Sequence, residues 1–174
     1  MTRRQVGSGI LASAAARVPG SGQAEPHPLP SPRTEGGLPL MAALKLRRST
    51  REFANRPLPN TILSDLLWAA FGVNRPSGDR TAPYWRHVMV IDIYVAMADG
   101  VWLYAAAAHR LSPHSKSDIR ALTSLQDFVA TAPLNFAYVA HGERMQEVSP
   151  EERRLYLPQQ GRCTIGVHRR RGPV

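Results

Sequence analysis

Residues 91–104 constrain this chain more than any other stretch. Ile91-Asp92-Ile93-Tyr94-Val95-Ala96-Met97 alternates with period two, which predicts a strand with one aliphatic face. Ala98-Asp99-Gly100 follows, and Asp-Gly is a strong hairpin-turn signal. Val101-Trp102-Leu103-Tyr104 then returns as a second strand. Upstream, Pro59-Asn60-Thr61 opens a helix in which Ile62, Leu63, Leu66, Leu67, Ala70 and Phe71 recur at three- and four-residue steps. That spacing predicts a buried stripe, and Gly72 stops the helix.

Leu38 to Leu46 reads as a shorter helix with Leu40, Met41 and Leu44 on one face. Ser117 is placed to cap a helix through Ile119 to Leu122, and another spans about Leu125 to Ala130 before Pro133 breaks it. Leu134 to Ala140 is apolar throughout except for Asn135, which predicts a strand central in the sheet. Pro150-Glu151-Glu152 starts a last helix, with proline at its first position and acids in its first turn. Helices and strands are mixed without strict alternation, so an α+β domain with a central sheet follows.

The 174 residues suffice for one domain with a proper core, and no apolar run reaches the 18 residues that a spanning helix needs. The formal charge of +9 raises the question of a nucleic-acid partner. Its distribution argues against specific binding. Arg3, Arg4, Arg17 and Arg33 exceed Glu25 and Glu35 by two charges, and Arg162, Arg169, Arg170 and Arg171 add four with no acid. Two thirds of the excess therefore sits in the ends, and the middle is nearly balanced. Cys163 is the one cysteine, which excludes an intramolecular disulfide and a Cys-based zinc site. The histidines lack metal-ligand spacing, and His109 and His114 read as solvated residues of a polar loop. Gly-x-Ser-x-Gly, a Walker loop and a dinucleotide fingerprint are all absent, and Asp79 and Asp92 have no evident carboxylate partner.

The chain divides into four parts on composition. Residues 1–24 read as a twin-arginine export signal: Thr2-Arg3-Arg4-Gln5-Val6, a mildly apolar stretch to Ala16, and the small-residue end Gly22-Gln23-Ala24. That reading sends the protein to the periplasm. The same stretch also reads as a disordered basic tail, which would leave the protein cytoplasmic. Residues 25–37 form a proline-rich linker, so the folded domain is expected over 38–157. Residues 158–174 end in a basic run without apolar periodicity, similar to the product of a frameshift.

One segment carries chemistry. Leu46-Arg47-Arg48-Ser49-Thr50-Arg51-Glu52-Phe53 sets three guanidiniums and two hydroxyls within five residues, just after a helix. Arginine forks and a short hydroxyl contact suit phosphate oxygens. The same residues also fit a solvated basic helix end, favoured by the helix dipole. The surrounding order of motifs resembles the nitroreductase family. Arg47 to Phe53 is similar to its N-terminal FMN-phosphate motif. Pro57-Leu58-Pro59, the helix ending Leu67-Trp68-Ala69-Ala70-Phe71-Gly72-Val73-Asn74-Arg75, then Arg80-Thr81-Ala82-Pro83 and Ile91 to Val95 follow in the family's order. Thr131 to Ala140 resembles its central strand, and the arrangement looks like the branch of the peptide azoline dehydrogenases.

The resemblance implies an α+β homodimer with a central mixed sheet flanked by helices and FMN at the subunit interface. It implies that Arg47, Arg48, Ser49 and Arg51 hold the FMN phosphate, and that Pro83, Tyr84 and His87 line the flavin ring. It implies electron passage from NAD(P)H to a nitroaromatic, a quinone or a similar acceptor, with no side chain required as acid, base or metal ligand. Two departures accompany it. Tyr84-Trp85-Arg86-His87 is bulkier than the small polar residues usual there, and the segment after Leu157 departs from the family's alanine- and glycine-rich helix, leaving the C-terminal part incomplete. The alternative expectation is a degenerate, non-catalytic member with weak or no flavin binding.

Overall fold

The computed structural model describes residues 25–156 other than Asn55, Trp85, His87 and Glu147. The export-signal reading of 1–24 and the basic tail at 158–174 lie outside the described residues. In chain order the elements are β1 (His27–Pro28), α1 (Leu40–Leu46), α2 (Asn60–Phe71), β2 (Ile91–Met97), β3 (Gly100–Ala105), β4 (Arg110–Ser115) and β5 (Leu134–Ala140). Short 3-10 turns join them, and residues 150–156 form a third helix. The five strands make one sheet in the order β1-β4-β3-β2-β5. No described helix is long and apolar enough to cross a membrane.

The period-two alternation of β2 decides the packing. Ile93 and Val95 point to one face, paired with Tyr138 and Phe136 of β5, and α2 lays Leu63, Leu67, Ala70 and Phe71 over them. Tyr104 and Leu111 complete this core from β3 and β4. The β2–β3 hairpin closes as expected, with Met97 paired to Gly100. Gly100 is needed there: its φ is 141°, and a Cβ would run into the Ser115 carbonyl of β4. Gly72 ends α2 differently from the left-handed cap expected of a glycine. Its φ is −70°, and glycine fits because a Cβ would overlap the indole and carbonyl of Trp68.

Several expectations need correction. The sheet expected to be mixed is antiparallel at every pairing among the described strands, because each close pair is a hairpin or returns from the opposite end. β5 is not central: among the described residues it borders β2 alone. Its continuous apolarity has another cause. Leu134, Phe136 and Tyr138 pack on the core, while the Asn135 amide on the other face donates to the Arg120 and Val129 carbonyls at 3.2 and 2.9 Å. The helices expected near 119–122 and 125–130 are 3-10 turns, Arg120–Leu122 and Asp127–Ala130. Asp118, not Ser117, accepts the Arg120 backbone N–H, at 3.0 Å. The last helix carries a capping box that the proline and acids had only suggested: Ser149 N–H donates to Glu152 Oε2 at 3.0 Å, and Glu152 N–H to Ser149 Oγ at 3.2 Å.

The proline-rich segment is attached to the domain, not a free linker. His27 and Pro28 pair with Leu111 and Arg110 of β4. Arg33 grips the buried Asp65 of α2 with its backbone N–H at 2.7 Å, its Nε at 2.8 Å and its Nη2 at 2.6 Å. The folded unit thus includes β1 and Arg33, ahead of the expected boundary near Leu38.

Candidate functional site

Arg47 ends α1, and its extended backbone carries Arg48, Ser49 and Arg51 away from the helix. All four are exposed. Arg51 sets its guanidinium carbon 5.8 Å from the centre of the Phe128 ring, and Phe53 meets the same ring at 6.2 Å. The segment is thereby tied to the 3-10 turn before β5. No carboxylate among the described residues pairs with Arg47, Arg48 or Arg51.

Pro83 and Tyr84 lie elsewhere, in the connection from α2 to β2. The loop after α2 is held by Trp68: its indole donates to the Val73 carbonyl at 3.0 Å, and its own carbonyl accepts from Gly72 N–H at 2.8 Å and Thr81 Oγ1 at 3.0 Å. Val73 and Arg80 form a bridge across that loop. Pro83 is exposed and Tyr84 half-buried, with its ring edge-on to Phe71 at 6.4 Å. The Tyr84 hydroxyl donates to Asp79, and this bond raises its pKa. His87, expected beside them, lies outside the described residues, as does Trp85. Arg86 between them has a left-handed φ of 41°. So the two expected groups sit on different elements, the phosphate motif after α1 and the ring-lining residues before β2.

Sequence reasoning missed two polar clusters. Asp92 on β2 receives both arms of Arg144, at 2.8 and 2.7 Å, and stands 3.0 Å from His141 Nε2. The Arg144 hydrogen bonds hold the Asp92 carboxyl below its usual range. The second cluster centres on His109, expected to be solvated. It is half-buried with a φ of 44° at the β3–β4 turn. Its Nε2 faces the Pro30 carbonyl at 3.1 Å, which can only accept, so a neutral ring carries its proton there and Nδ1 accepts from the Tyr104 hydroxyl at 3.0 Å. Nε2 also stands 2.7 Å from Ser64 Oγ, while Ser64 donates to Pro30 at 2.6 Å. His114, by contrast, is exposed, packed edge-on to Tyr94 at 4.9 Å.

The His109 cluster makes a pH prediction. Burial pushes the His109 pKa down, against the opposing Pro30 hydrogen bond. An unfolded histidine titrates near ~6.5. The neutral form is therefore favoured by folding, and its contribution is complete above about pH 6.5 and is lost as the pH falls toward the lower folded value. The urea midpoint should drop between pH 7.5 and 5.5, and the drop should shrink in His109→Asn. An unchanged drop in the variant would assign it to other groups.

No family model matches the chain. A protein of Methanocaldococcus jannaschii, whose name assigns it provisionally to the nitroreductases, is 34% identical over 112 residues. That match takes in 59% of this chain and spans 57% of the relative's length. A crystal structure from Ralstonia eutropha, provisionally described as a nitroreductase, is 42% identical, superposes with a TM-score of 0.77, and is matched over 83% of this chain and 70% of its own. This chain belongs to the nitroreductase family. A second nitroreductase-described structure, from Anabaena variabilis, is 16% identical with a TM-score of 0.58 over 75% of this chain and 29% of its own, a likeness of fold alone. The α+β architecture is that of the nitroreductase fold.

Proposed function

We propose that this chain is an FMN-dependent oxidoreductase that passes electrons from NAD(P)H to a nitroaromatic, a quinone or a similar oxidised acceptor. The observation that carries the reading is the family kinship together with Arg47, Arg48 and Arg51, three exposed guanidiniums without a carboxylate partner among the described residues. The donor set fits a phosphate dianion: two unengaged forks, a third held in place by Phe128, and the Ser49 hydroxyl. Pro83 and Tyr84 supply an apolar and an aromatic surface suited to a flat ring.

When bound, FMN supplies the two-electron relay between a nicotinamide and the acceptor. The chain's own part is to hold and shape. Arg47, Arg48, Ser49 and Arg51 fix the phosphate end. Tyr84, tied to Asp79 and wedged against Phe71, keeps a firm wall. The loop braced on Trp68 sets that wall relative to β2. Positioning of this kind is the protein's main contribution to such chemistry.

A homodimer belongs to the same reading. α1 buries none of its residues and leaves Leu40, Met41, Leu44 and Leu46 exposed, an apolar surface that a second copy would cover. Export belongs to it as well: cleavage after Ala24 would leave β1 and the Arg33–Asp65 contact intact. The test is NAD(P)H oxidation by FMN-loaded protein with a nitroaromatic or quinone acceptor. Turnover of order 1–10³ per second, the ordinary enzyme range, is expected. Weak or no FMN binding together with absent turnover would favour the non-catalytic alternative.

A further inference from the structure

A cavity of about 410 Å³ opens at the end of the sheet where β2 begins and β3 ends. Its walls are chiefly apolar, from Phe71, Met89, Ile93 and Leu103, with Tyr104, Arg80 and the Asp92–Arg144 ion pair among them. This volume lies within the usual range of small-molecule sites, and apolar walls with few polar groups are their usual chemistry.

The polar groups there are not equivalent. Arg144 is neutralised by Asp92 through two short hydrogen bonds. The Tyr104 hydroxyl is given to His109. Arg80 is different. Its Nε and Nη1 are buried without any hydrogen-bond partner, and no carboxylate pairs with it among the described residues. Its guanidinium carbon stands 5.6 Å from the centre of the Phe71 ring. A ring face offsets part of a cation's desolvation, far less than an anion does. Arginine cannot shed its proton to escape the cost. Asp79, next in sequence, is turned to Ser77 and Tyr84 instead. An uncompensated cation on an apolar cavity is what a site for an organic anion contains before the anion arrives.

We infer that this cavity binds a small carboxylate with an apolar, preferably aromatic, body. The body packs against Phe71, Met89 and Ile93, and the carboxylate meets Arg80. Arg80 lies three residues before Pro83, so the cavity neighbours the proposed flavin surface, but it uses none of the residues assigned to FMN.

Benzoate tests this by calorimetry on the full chain, with benzamide as its neutral isostere and inorganic phosphate as a bare anion. Benzoate should bind one per chain, at least tenfold more tightly than benzamide, and phosphate should bind more weakly still. Arg80→Gln should remove the preference for benzoate while retaining benzamide binding. Saturating FMN should leave benzoate affinity unchanged. If Arg80→Gln does not fold, the wild-type preference and the FMN competition still decide. Equal binding of benzoate and benzamide, no binding of either, an unchanged preference in Arg80→Gln, or displacement of benzoate by FMN would each overturn the proposal. A protein that binds FMN but not benzoate would retain the flavin reading and lose this one.

Discussion

Leu67→Ala should destabilise the folded chain by about 2–5 kcal/mol, the range for emptying a fully buried leucine site. Leu67 is fully buried in α2 and stands in the core with Ile93 and Val95 of β2 and Tyr104 of β3. The core around it is built from three elements, so the cavity left behind cannot be closed by moving one of them. Small domains are stable by only about 5–15 kcal/mol in total, so the variant should unfold at a much lower urea concentration. Leu67→Met, which nearly conserves volume, should cost less than about 1.5 kcal/mol. Equal midpoints for wild type and Leu67→Ala would mean that α2 does not rest on the sheet as described.

The largest functional effect is expected from the paired change Arg47→Ala with Arg51→Ala. Each charge-assisted hydrogen bond to a phosphate is worth about 1.5–3 kcal/mol, or about ten- to hundredfold in affinity. Taken as additive, the two losses weaken FMN binding by about 10²- to 10⁴-fold. Both residues are exposed, and the one described side-chain contact either makes is that of Arg51 with Phe128. Stability should therefore change little, which separates lost binding from lost folding. A double variant that binds FMN as tightly as wild type would remove the phosphate from this segment.

What could be read from the residues alone follows a physical division. The β2–β3 hairpin and α2 were legible because their apolar periods run unbroken and their ends carry turn and stop residues. β4 was not. Leu111 is its one buried apolar residue, Pro113 interrupts it, and its pairing depends on a bulge at Val101 and Trp102. β1 was hidden by four prolines that read as linker, since its partners Leu111 and Arg110 lie more than eighty residues away. Apolar content alone could not show whether β5 was flanked on both sides or one.

The site divides in the same way. Arg47, Arg48, Ser49 and Arg51 are contiguous, so their shared chemistry appears in the sequence. Asp92 and Arg144 are 52 residues apart, and Ser64 and His109 are 45 apart. Only packing brings them together. Arg80 was visible as part of a motif, but only packing shows that no carboxylate among the described residues pairs with it.

The flavin reading is tested most directly by titrating FMN into the full chain and following the quenching of flavin fluorescence. One saturable FMN per chain is expected, with binding weakened by the Arg47→Ala, Arg51→Ala pair and unaffected by benzoate. Absence of saturable FMN binding to a folded wild-type chain would contradict it.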